Sequence, residues 1–128
     1  MQVGAEDFAG ALDSAERSLK VYDAQGEELG SRLLAPMLVR SEAQSGLGRH
    51  EDAITSGEAA VSLAEREGTA GELALARWSL AQTLRAAGPE HRARARELAG
   101  KARATLVDEK IAPDVVSRID TFLADVER

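Results

Sequence analysis

Three segments of this 128-residue chain carry an alanine at the same place, 42 residues apart each time: Ala11, Ala53 and Ala95. Seven residues after each stand Ser18, Ala60 and Ala102, again small. Seven residues make about two turns of an α-helix, so each segment shows small side chains twice on one face. Such a face lets a neighbouring helix approach closely, as stacked helical hairpins require. Self-similarity at this period points to a supersecondary unit copied along the chain.

The stretches between these segments also read as helix. Apolar mass comes mostly from Ala and Leu, with only four aromatics: Phe8, Tyr22, Trp78 and Phe122. Both are favourable helix residues. β-Branched residues never alternate over a strand's length, so a sheet has little to be made from. Two stretches end at Gly48 and Gly88, and a glycine just past a helix can adopt the left-handed conformation that terminates it. Other breaks fall near Gly26, Gly68 and Ala112-Pro113. Helices are therefore expected at about 6–24, 30–47, 50–67, 71–87, 90–108 and 114–127. Pro36 conflicts with the second, because it lies beyond the first turn of a helix beginning near 32. A kink or a later start is expected there.

Composition excludes several kinds of chemistry. With no cysteine, disulfides, thiolate zinc sites and a cysteine nucleophile are ruled out, and a reducing cytoplasm is the expected compartment. No apolar run approaches the roughly 20 residues of a membrane span. Met1 to Gly10 lacks a basic start and carries Glu6 and Asp7, unlike a secretory signal. A net charge of −6 argues against nucleic acid as a partner, since phosphate affinity needs excess Lys and Arg. Abundant Ala and a preference for Arg over Lys suggest a GC-rich bacterial genome.

No set of residues has the spacing of a catalytic centre. His50 and His91 each follow a turn glycine without a second ligand at metal spacing, so packing or exposure is the expectation for both. Ser14, Ser56 and Ser79 have no histidine at helical spacing to activate them. Neither catalytic residues, metal nor cofactor is expected. Acidic residues spread along the helix faces, with Asp13–Arg17 and Glu90–Arg94 as i,i+4 pairs.

Charge is unevenly placed. Residues 1–72 hold fourteen acidic and six basic side chains, whereas residues 73–110 hold eight basic and four acidic. Arg92, Arg96 and Arg103 fall on one helical stripe, with Arg94 turned away. The stripe reads either as a solvated outer face or as a basic patch for an acidic partner, RNA or a phosphorylated segment.

The run Leu47-Gly48-Arg49-His50-Glu51-Asp52-Ala53-Ile54 resembles the middle of a tetratricopeptide repeat, where one helix closes on glycine and the next opens acidic, then alanine and an aliphatic. Trp78 to Gly88 resembles the first helix of that repeat, with Leu80, Ala81, Leu84 and Gly88 at its signature positions. The first hairpin departs from the pattern, with Arg40, Ser41 and Gln44 where leucine, a small residue and a bulky apolar one belong. Two additional residues sit between Gly88 and Ala95. The arrangement also resembles repeat regions of bacterial multidomain kinases and regulators.

The resemblance implies an all-α, right-handed superhelix of antiparallel hairpins with about six helices. It comprises a half repeat at 5–26, hairpins at 29–67 and 70–109, and a capping helix at 113–127. It also implies a scaffold that binds a peptide or helix of a partner protein in a concave groove lined by the first helix of each pair. The groove residues are then Leu38, Glu42 and Ser45, followed by Trp78, Gln82 and Arg85. Trp78 is either the anchor of that groove or, one residue out of register, plain core. The first helix lacks its partner, so Phe8, Leu12, Leu19 and Tyr22 form an apolar face. Either the chain is excised from a longer protein or that face serves self-association.

Overall fold

The computed structural model describes residues 5–25 and 32–126. Helices make up nearly all of them: α1 (Ala5–Gln25), α2 (Leu34–Gly46), α3 (His50–Glu67), α4 (Ala70–Ala87), α5 (Arg92–Glu109) and α6 (Pro113–Val126). No strand occurs among the described residues, so the fold is all-α. The largest displacement from the expected boundaries is at α2, which begins at Leu34 rather than near 30. Pro36 explains the later start. In the first turn its missing N–H has no intrahelical partner to lose.

Gly48 and Gly88 close α2 and α4 by two different geometries, Gly68 ends α3 in extended backbone (φ −90°, ψ 167°), and Gly26 lies outside the described residues. Gly48 has φ +80°, and around it Leu47 N–H donates to the Ala43 carbonyl at 3.0 Å and Arg49 N–H to that of Gln44 at 2.9 Å. Gly88 has φ +147° and ψ +168°, a conformation essentially confined to glycine. The two additional residues of this second turn are taken up by a 3-10 turn, Pro89–His91. α4 opens with reciprocal bonds, Glu72 N–H to Thr69 Oγ1 at 3.1 Å and Thr69 N–H to Glu72 Oε1 at 2.9 Å. These two bonds satisfy donors that a helix start otherwise leaves free.

Each helix packs against the next in sequence, and α2 also packs against α4. The short turns fold successive helices back on one another. Ala53 and Ala60 of α3, and Ala95 and Ala102 of α5, are all fully buried. The repeated small face is thus the packing face of both helices. In α1 the pattern shifts: Ala11 is half-buried and Ser18 exposed, while Leu12 and Ala15 are buried. The reason is that among the described residues α1 packs chiefly on α2, whereas α3 and α5 each lie between two helices.

Two hydrophobic clusters form the core. One joins Leu80, Ala81 and Leu84 of α4 to the alanines of α5 and to Val115, Ile119 and Phe122 of α6. The other is smaller and joins Leu34 of α2 to Ala60, Leu63 and Ala64 of α3 and Ala76 of α4. The polar departures of the first hairpin lie on its inner seam. Ser41 is fully buried, and its Oγ donates to the Ala53 carbonyl at 2.8 Å. Thr83 Oγ1 lies 3.4 Å from the same hydroxyl. Ser41 has one proton, already given to Ala53, so Thr83 is the donor. Gln44 Oε1 accepts from Ser56 Oγ at 2.6 Å. Gly57, facing this seam, leaves little room for a Cβ, which would lie 3.0 Å from Leu80 Cδ1 and 3.2 Å from Ser41 Oγ.

Candidate binding face

Helical spacing and the contact of α2 with α4 decide which side chains share a surface. Leu38, Glu42 and Ser45 lie on one stripe of α2, and Trp78, Gln82 and Arg85 on the matching stripe of α4. Glu42, Gln82 and Arg85 are exposed, and Leu38 and Ser45 are half-buried. Trp78 is not on the surface with them. It is 9% exposed, and its ring meets Phe122 edge-on, with centroids 5.1 Å apart and planes at 84°. The core alternative for Trp78 is therefore the one found, because α6 covers this end of α4. An anchoring role on an open groove is not available to the indole.

The α6 residues that bury Trp78 also rebuild the neighbouring surface. Arg85 places its guanidinium carbon 5.1 Å from the Phe122 ring centroid, a cation–π arrangement. One of its nitrogens lies 3.8 Å from Asp125 Oδ2. Sequence reasoning did not pair Arg85 with α6, since nothing local in sequence links residue 85 to residues 122 and 125. At the other end of the face, desolvation by burial raises the Glu42 carboxyl above its ordinary value. Because Glu42 remains exposed overall, this extra cost of ionisation over water is small.

The apolar face expected on α1 is largely covered. The Phe8 ring occupies the space beside Gly46, the last residue of α2, and Leu12 is 6% exposed. Leu19, half-buried, lines a cavity of about 450 Å³ with Leu33, Met37 and Arg40. Phe8 and Leu12 thus serve the α1–α2 packing and are not free to form an open face. The Tyr22 side chain lies outside the described residues, as do residues 26–31 between α1 and α2.

Among the described residues no three His, Asp or Glu side chains converge as a metal site. His50 is half-buried, with Nδ1 buried and unpaired, and His91 Nε2 is 3.7 Å from Glu90 Oε1. No described helix is long and apolar enough to cross a membrane. The Asp13–Arg17 pair forms at 2.7 Å. The other expected pair does not, because Arg94 reaches from α5 to Glu58 of α3 at 2.6 Å instead of pairing with Glu90. The arginine stripe is broken as well, since Arg103 donates to Asp120 of α6 at 2.5 Å. Arg92 and Arg96 remain exposed.

Comparison with protein-family models, with curated proteins and with solved structures found no match.

Proposed function

We propose that the chain is a tetratricopeptide-like scaffold that takes up a peptide or helix of a partner protein on the α2–α4 face. The observation that carries this reading is the repetition of packing, not of sequence alone. The same small residues are buried at the same positions of α3 and α5, and the helices preceding them, α2 and α4, lie against each other. Arrays of that kind present side chains of successive first helices on one continuous surface. Here that surface offers a half-buried Leu38, an acidic Glu42, an amide at Gln82 and a cation at Arg85. Mixed polarity of this sort suits a helix-in-groove partner with an apolar anchor flanked by charges.

The test uses surface residues only, so that the fold is left intact. A variant carrying Glu42→Lys, Gln82→Ala and Arg85→Glu is compared with the wild type as bait in a lysate. A protein retained by the wild type and lost by the variant, with equal helical circular dichroism for both, is the expected result. Equal retention by both baits excludes the face.

A further inference from the structure

We propose that the notch between the end of α4, the Pro89–His91 turn and the end of α6 binds a phosphomonoester group. This cavity, of about 320 Å³, is lined by Arg85, Gly88, Pro89, Arg92 and Asp125. Gly88 has no side chain and Pro89 no N–H, so the ionisable residues lining it are Arg85, Arg92 and Asp125, with the Glu90 carboxylate against Gly88. Two of the four arginines of α5 are engaged elsewhere, Arg94 by Glu58 and Arg103 by Asp120. Within the described residues no ion pair engages Arg92. Arg85 has only the long 3.8 Å approach of Asp125, with both side chains well exposed. Glu90 turns its carboxylate over Gly88 and towards His91.

Arg85 is also held in place. Its guanidinium lies over the Phe122 ring, and Phe122 is buried edge-on against Trp78. A fork fixed on a buried aromatic loses less rotamer freedom when it binds a ligand. Arg85 and Arg92 repel each other, and Asp125 at 3.8 Å from Arg85 and the Glu90 carboxylate over Gly88 offset them only as singly charged groups. A carboxylate or a phosphodiester brings a single charge and competes with Asp125 on equal terms. A phosphomonoester brings about −1.5 to −2 and three acceptor oxygens, enough for both forks at once. The proposal deepens the binding-face reading, since Arg85 belongs to both, but it is tested on the phosphoryl group without any partner protein.

The full chain, labelled with 15N, is titrated with inorganic phosphate at pH 7.5 and constant ionic strength, following the arginine Nε–Hε resonances. Saturable shifts confined to Arg85 and Arg92 are expected. Arg92→Gln and Arg85→Lys should each weaken binding about tenfold, the second because a lysine keeps the charge but not the fork. Asp125→Asn should tighten it several-fold by removing the internal competitor. Acetate giving the same shifts, shifts spread evenly over all arginines, or no gain from Asp125→Asn would each overturn the site. A phosphoserine in a Gly-Ser peptide then identifies the source. Binding tighter than inorganic phosphate by tenfold or more assigns the site to a phosphorylated partner segment, and equal binding to a free phosphomonoester. If phosphate binds while the lysate bait retains no partner, the notch stands and the scaffold reading falls.

Discussion

The two hairpins of this chain solve the same packing problem with different chemistry. Counting back from Gly48 and Gly88, Arg40, Ser41, Glu42 and Gln44 of α2 correspond to Leu80, Ala81, Gln82 and Leu84 of α4. In the second hairpin these positions are apolar where buried, and they join the α4–α5–α6 cluster. In the first they are polar: Ser41 bonds to Ala53 and Gln44 to Ser56, while the buried Arg40 Nε has no partner. A hydrogen-bonded seam fixes the register of two helices, while an apolar one gains more from removal of surface from water. The first hairpin is therefore the more specific of the two in its geometry and the weaker in its cohesion.

Exchanging residues between the hairpins breaks this comparison, most severely in one direction. Leu84→Gln puts the first hairpin's amide into the fully buried site of the second, where apolar neighbours surround it. Loss of the leucine and burial of an unpaired amide should together cost at least about 3 kcal/mol, read from chemical denaturation. The reverse exchange, Gln44→Leu, strands the Ser56 hydroxyl and should cost about 1–3 kcal/mol. Adding Ser56→Ala should bring stability back to about the wild-type value, because both partners of the bond are then apolar. A double variant no better than the single would show that packing volume, and not the bond, governs the seam.

The buried serines sharpen the contrast on a smaller scale. Ser41→Ala removes a donor from Ala53 and an acceptor from Thr83 and should cost about 1 kcal/mol. Ser79 is also buried, but its Oγ has no partner, so Ser79→Ala should be neutral or slightly stabilising in the same melt.

The smallest effect concerns Glu42, whose counterpart is Gln82. Its carboxyl is raised in the folded chain, so the folded state binds its proton more tightly than the unfolded state does. Below the ordinary carboxyl range both states are protonated and Glu42 has no effect. As pH rises through and beyond that range, ionisation destabilises the fold. Glu42→Gln should consequently stabilise at pH 7 and make no difference at pH 3, which denaturation at the two pH values checks.

Much of the fold was legible because it depends on neighbours in sequence. The 42-residue spacing marked the faces of α3 and α5 that are buried, Gly48 and Gly88 marked the turns, and Pro36 marked the late start of α2. The start of α4 was expected at 71, one residue late, because the Thr69–Glu72 box that opens it played no part in that expectation. The candidate face was read less well. Glu42, Gln82 and Arg85 are exposed and Leu38 and Ser45 half-buried, but Trp78 is buried. The spacing that places Trp78 on one stripe of α4 carries no information about what lies on top of that stripe.

The sequence by itself determined the helices, their ends and the small-residue faces on which they stack, since these follow from backbone conformation and periodicity within a few turns. Tertiary structure alone decided what covers each face. It put α6 over Trp78, joined Arg103 to Asp120 and Arg94 to Glu58, and turned Phe8 and Leu12 inward onto α2. Each of these depends on the crossing of two helices distant in sequence, and crossing is set by the shapes of both surfaces at once.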